Sequence, residues 1–190
     1  MRKIHKIALA LSFVSLIATH GAASGNTSGQ LLAQMTLQGG CMVSGASGTG
    51  GSGASFGTLD FGAQPSTFTG VLVATASGGG GAGPTQIVCS PDVASMSVSV
   101  NAGNNPGQGT AVGTGSRAMK LSNGAYLPYE VYSDPGLTAP YAANASMVGV
   151  ALPGTGVALA LPIFGRINKT SAAAMPAGTY TDVLQVTLSW

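Results

Sequence analysis

YTDVLQVTLSW, residues 180–190, is the stretch whose reading decides the fold. Leu184, Val186, Leu188 and Trp190 fall on one parity; Val183, Gln185, Thr187 and Ser189 fall on the other. A period of two sends successive side chains to opposite faces, the signature of a β-strand with one buried face. The pattern runs to the last residue with no polar tail. Domain termini are commonly loosely held. An apolar-faced strand in that position is expected to need a partner, either in its own fold or from another chain.

The same period recurs upstream. Met96, Val98 and Val100 predict a strand over 95–100, expected to pair with 86–89 around the turn at Ser90, Pro91 and Asp92. Further short strands are predicted over 56–61 and 70–75. Asn123-Gly124 favours the positive-φ turn of a tight hairpin, which joins 118–121 to 126–132. Asp134-Pro135-Gly136 makes a second turn, and 147–150 and 157–163 complete the set. No window carries a helical period, and the run Ala172–Ala174 is cut short by Pro176. The fold class is therefore all-β, many short strands joined by Gly-rich turns.

Before these strands lies an address. Arg2, Lys3 and Lys6 precede an apolar run over 7–18, followed by small residues at Gly21, Ala22 and Ala23. This is the layout of a secretory signal peptide over residues 1–23, cleaved after Ala23. The run is shorter than the ~20 apolar residues of a membrane span. Both histidines, His5 and His20, leave with it, as do three of the seven cations. Four cations then face five carboxylates, Asp60, Asp92, Glu130, Asp134 and Asp182, for a net charge of −1 instead of the formal +2 of the whole chain. Such a chain has no electrostatic footprint for nucleic acid. In an exported protein the two cysteines, Cys41 and Cys89, are expected to form a disulfide.

Catalytic chemistry finds little to work with. Loss of histidine removes the commonest general base, the usual partner of a nucleophilic Ser or Cys, and the commonest metal ligand. Paired cysteines leave no thiolate zinc site, so no metal and no cofactor is expected. The scattered Asp60, Asp92, Asp134 and Asp182 read as turn or surface residues, not a glycosidase pair. Gly48-x-Gly50-x-x-Gly53 spells a dinucleotide fingerprint but lies in a Gly/Ser loop without a following helix. The reading is a structural protein, not an enzyme.

Between leader and domain, 30–37 alternates with Leu31, Ala33, Met35 and Leu37 on one parity, which predicts another one-faced strand. Alternation alone does not separate a strand donated to another chain from a first strand packed on its own domain.

Several segments, in order, resemble one family. Gly40-Cys41-Met42-Val43 and Phe56-Gly57-Thr58-Leu59-Asp60-Phe61-Gly62 come first. Ile87-Val88-Cys89, Met119-Lys120-Leu121 and Tyr129-Glu130-Val131-Tyr132-Ser133-Asp134 follow. Leu161-Pro162-Ile163-Phe164-Gly165 and Gly178-Thr179-Tyr180-Thr181-Asp182-Val183-Leu184 complete the set. Together they resemble the spore coat protein U domain of archaic chaperone–usher pilins, the Csu-type rod subunits among them.

The resemblance implies an incomplete immunoglobulin-like β-sandwich, completed by a donor strand from a neighbouring subunit. It divides the chain into the leader, a donor-strand segment over 24–38, and a pilin domain over 39–190. Leu31, Ala33, Met35 and Leu37 become donor side chains. Leu184, Val186, Leu188 and Trp190 become the acceptor's last strand and the chaperone contact. The partners implied are further copies of the chain in a head-to-tail polymer, a periplasmic chaperone, an outer-membrane usher, and other pilus subunits including a tip adhesin. The route runs through the periplasm to the cell surface, where the fibre serves adhesion and biofilm growth. A stand-alone secreted coat protein and a minor or adaptor subunit binding a surface ligand are the alternatives.

Overall fold

A computed structural model describes residues 25–44, 55–78, 83–143, 145–154 and 156–190. The expected leader lies outside the described residues, as does the loop carrying the dinucleotide-like spelling. The compact unit spans Leu37–Trp190.

Its strands are β1 (Cys41–Ser44), β2 (Gly70–Thr75), β3 (Gln86–Cys89), β4 (Ser95–Val100), β5 (Gly113–Thr114), β6 (Arg117–Lys120), β7 (Tyr126–Tyr132), β8 (Ser146–Ala151), β9 (Leu159–Ala160), β10 (Phe164–Lys169) and β11 (Val186–Ser189). Every pairing is antiparallel. The strands assemble as β1-β3-β9, as β11-β4-β8, and as β2-β10-β7-β6 with β5 beside β10. No helix occurs among the described residues.

Alternation places one row of each sheet inside. Ile87 and Cys89 of β3, and Met96, Val98 and Val100 of β4, join Leu127, Tyr129 and Val131 of β7 and Ile167 of β10 in one core. Sheets facing each other across a shared apolar layer make a β-sandwich, the all-β class read from the sequence. The hairpin at Asn123-Gly124 forms as expected. Gly124 takes φ +93°, and β6 pairs with β7 from Arg117 opposite Tyr129 to Lys120 opposite Tyr126.

Three expectations fail, each for a physical reason. The strands 86–89 and 95–100 exist but do not pair with each other. The turn after Cys89 carries the chain from one sheet into the next, and each strand finds other partners. The returning chain follows it: Gln86 faces Ala160 and Met96 faces Val150, one register kept across the crossing. Residues 56–61 form only a bridge between Thr58 and Ser77, because their role is packing. Leu59 and Phe61 fill the space where a side chain on Gly165 would stand, 2.5 and 2.7 Å from its ideal Cβ position. Phe61 also meets Tyr129 edge-on at 6.3 Å.

The third is the strand expected over 157–163: only Leu159–Ala160 forms there, and it is followed by β10, an interior strand that the sequence hides. Its inward row is Gly165, Ile167 and Lys169, so two of three buried positions carry no apolar side chain. Lys169 is buried because its ammonium donates to the carbonyls of Ser171 and Ala173, at 2.5 and 2.9 Å, and sits over the Phe68 ring. A buried cation satisfied in this way costs far less than a bare one.

Candidate functional site

The two cysteines face each other across the ladder, Cys41 opposite Cys89 in β1 and β3, and they are bonded. The link ties a four-residue strand to the core, since Cys89 is buried. Gly40 extends the contact: its N–H donates to Ser90 Oγ at 3.0 Å, and its carbonyl accepts from Ser90 N at 2.9 Å.

Among the described residues, β1 pairs only with β3 and β11 only with β4. Each therefore presents an outer edge of unpaired N–H and C=O groups, the template that strand addition uses. The residues flanking the two strands meet: Trp190 Nε1, just past β11, lies 3.8 Å from the position a Cβ on Gly40, just before β1, would take. Their inward residues are covered only in part. Leu184, Val186 and Leu188, and Cys41 and Val43 beside them, pack against the core yet stay half-buried, while Val98 and Val100 one strand away are fully buried. Full burial of a Leu or Val side chain is worth roughly 1.5–3 kcal/mol, so completing Leu184, just before β11, and Val186 and Leu188 on it would gain roughly 2–5 kcal/mol. Trp190 shares their parity in the sequence but is 59% exposed.

The segment expected to act as donor has a different environment. Residues 25–40 carry no regular secondary structure, so the strand expected over 30–37 is not formed. Leu31 is 94% exposed and Met35 82%, with Leu37 and Ala33 exposed as well. An extended segment without a ladder partner has no bonds to define it as a strand.

Sequence reasoning missed the polar groups at the head of the last segment. Asp182, expected in a turn or at the surface, is half-buried on the inward parity of Leu184. Its carboxylate accepts from Tyr129 Oη at 2.8 Å and from Asn104 N at 2.9 Å. Burial, then that hydrogen bond, push the Tyr129 phenol far above its usual range. Asn101 accepts from Gln185 N at 2.9 Å through its side chain. The available signal was a carboxylate standing at the front of an apolar row. By contrast, Asp60 and Asp134 do hold turns, accepting from Gly62 N and from Thr138 N and Ala139 N. Among the described residues no group of three or more His, Cys, Asp or Glu side chains is placed to hold a metal ion.

The sequence matches the family described as Spore Coat Protein U domain over residues 27–187. No curated protein matches. Among solved structures, the chain is similar to one from the chaperone–tip adhesion subunit pre-assembly complex CsuC–CsuE of the archaic chaperone–usher Csu pili of Acinetobacter baumannii. The identity is 22% and the TM-score 0.43. The match covers 82% of this chain but 40% of that one.

Proposed function

The chain belongs to the spore coat protein U domain family, and from that premise we propose that it is a structural pilus subunit, polymerised by donation of a strand from one copy to the next. The observation that carries this reading is a complementarity within one sequence. A free-edged strand, β11, and the residues leading into it hold a half-covered apolar row, Leu184, Val186 and Leu188. The segment 30–37 holds an alternating apolar row whose side chains are exposed. Inserted beside β11, the segment would satisfy the edge through main-chain bonds and cover the row with Leu31, Ala33, Met35 and Leu37. Donation from copy to copy is a heterologous contact, and such contacts build open filaments when the rotation does not close.

In this reading a periplasmic chaperone occupies the β11 edge, including Trp190, until an outer-membrane usher exchanges it for the next subunit's segment. The subunit then stands at the cell surface in a fibre that serves adhesion and biofilm growth. Its other neighbours are further pilus subunits, a tip adhesin among them.

The test compares Met35→Asp with Gln34→Asp. An unpaired carboxylate in an apolar pocket is costly, so Met35→Asp is expected to abolish heat-resistant polymer ladders while the chaperone-bound subunit still accumulates. Gln34→Asp, on the opposite parity, should polymerise nearly as the unaltered chain does. Loss of the chaperone-bound subunit in Met35→Asp would instead place the segment in the subunit's own core.

A further inference from the structure

The apolar row of β11 has a weakness that the structure corrects. In register, Val186 faces Val100, Thr187 faces Ser99, Leu188 faces Val98 and Ser189 faces Ser97. Sliding the strand by one residue would turn its apolar row to solvent, but sliding by two would not. Leu184, Val186 and Leu188 are spaced by two, so a two-residue slide merely replaces one apolar side chain by the next. The outer edge of β11 is free among the described residues, so a second ladder does not hold it in place.

Most of the remaining bonds are equally indifferent. Thr181 exchanges two bonds with Lys120, at 2.9 and 3.1 Å, and Gln185 meets Asn101 through its N–H and carbonyl. On the side of the last segment these are all main-chain groups, which any residue in the same place supplies. The Asp182 carboxylate is different. It accepts from Tyr129 Oη and Asn104 N at 2.8 and 2.9 Å. Neighbours at the two-residue spacing are Tyr180 and Leu184: Leu184 has no acceptor, and Tyr180 offers a single hydroxyl oxygen on a much longer side chain in place of two carboxylate oxygens. A slide in one direction sets Leu184 against the buried Tyr129 hydroxyl; a slide in the other carries the carboxylate away from both donors.

We propose that Asp182, clasped by Tyr129 and Asn104, is a positioning residue that locks the register of β11 on β4 and thereby fixes the row that an incoming strand of a second copy meets. The lock itself is a property of the fold. Its consequence for assembly rests on the donor-strand reading above. A single inward polar group that sets register among interchangeable apolar ones is the best-attested use of such groups.

The serines of β4 provide a ruler. Ser189→Cys with Ser97→Cys reports the observed register, and Ser189→Cys with Ser99→Cys or with Ser95→Cys reports slides of two residues in either direction. Each pair is made in the full chain, oxidised, and mapped by peptide mass apart from the Cys41–Cys89 bond. Only the Ser97 pairing is expected to cross-link while Asp182 is intact. Asp182→Leu should raise the slipped-to-native ratio by roughly 10-fold or more, the size of a lost hydrogen bond to a charged group. Asp182→Asn, whose single carbonyl oxygen can still accept from Asn104 N while its amide N–H can donate to the Tyr129 hydroxyl oxygen, should restore most of the native register. Should Asp182→Leu fail to fold, Tyr129→Phe removes one arm of the clasp with the ring kept in the core, and should shift the ratio in the same direction. An unchanged ratio in the folded variant overturns the lock. Binding of a synthetic peptide spanning 24–38, measured on the same variants, separates the two ideas. Slippage with weakened peptide binding supports the lock and its consequence. Slippage in a chain whose unaltered form never takes the peptide supports the lock and sinks the donor-strand reading.

Discussion

Arg117 has no exposed surface, yet its guanidinium is fully employed. It reaches Glu130 Oε1 at 2.6 Å and donates to the carbonyls of Asn101, Val100 and Tyr141 at 2.8, 3.1 and 3.1 Å. Three segments are thus joined by one planar fork, a geometry that lysine's point charge does not reproduce. Arg117→Met should lower stability by about 3–5 kcal/mol, the range found when one partner of a buried pair is removed; urea unfolding monitored by tryptophan fluorescence measures it. Glu130→Gln should cost less than half as much, since that carboxylate is partly exposed and the amide keeps an acceptor. Tyr141 is the second residue with a readable consequence. It is buried, donates its hydroxyl to Pro162 O at 2.9 Å, and burial pushes its pKa up to about 12. The unfolded phenol ionises near 10, so stability from this group is full below pH 10 and is lost as pH rises from 10 towards 12. Tyr129 acts in the same direction. Unfolding midpoints should therefore fall on that alkaline limb, and Tyr141→Phe should flatten the fall while costing about 1 kcal/mol at neutral pH for the lost hydrogen bond.

Among elements, β1 depends most on a single bond. It has four residues, one ladder partner and Met42 exposed on its outer face, so little besides the disulfide to β3 holds it. Cys41→Ser should cost about 2–5 kcal/mol and should strip amide-exchange protection from residues 41–44 before the β4 amides are affected. Protection at 41–44 equal to that of β4 would show that the ladder alone suffices. How legible each element was in the sequence follows from its inward row. The strands β2, β3, β4 and β7 carry enough Val, Ile, Leu, Met and Tyr to display their period, and their predicted limits match. The strand β10 does not, because Gly165 yields its space to Leu59 and Phe61 and the Lys169 ammonium is hydrogen-bonded by carbonyls. Those compensations come from residues distant in sequence. Residues 56–61 err the other way, with apolar side chains that plug a gap without joining a ladder.

At the scale of the whole molecule, charge is scarce: the described residues carry four cations and five carboxylates and form one ion pair. If the proposed donor-strand assembly holds, it relies on apolar cover and main-chain bonds and should be nearly indifferent to salt. Between 0.05 and 1 M sodium chloride, the rate of polymerisation should change by less than about 3-fold, whereas association steered by charge falls steeply over such a range. A steep dependence, read by light scattering, would point to a charged interface instead. The sequence by itself determined the all-β class, the hairpin at Asn123-Gly124, the apolar parity of Leu184, Val186 and Leu188, and the family resemblance, since all of these are local patterns or ordered motifs. Alternation states which side chains share a face; it does not state which strand lies alongside or in what register. Only the tertiary structure decided that 86–89 and 95–100 part into different sheets, that β1 and β11 each keep one free edge among the described residues, and that Asp182 sits inward under Tyr129. Those outcomes depend on partners tens of residues away, and a pattern with period two is the same for every one of them.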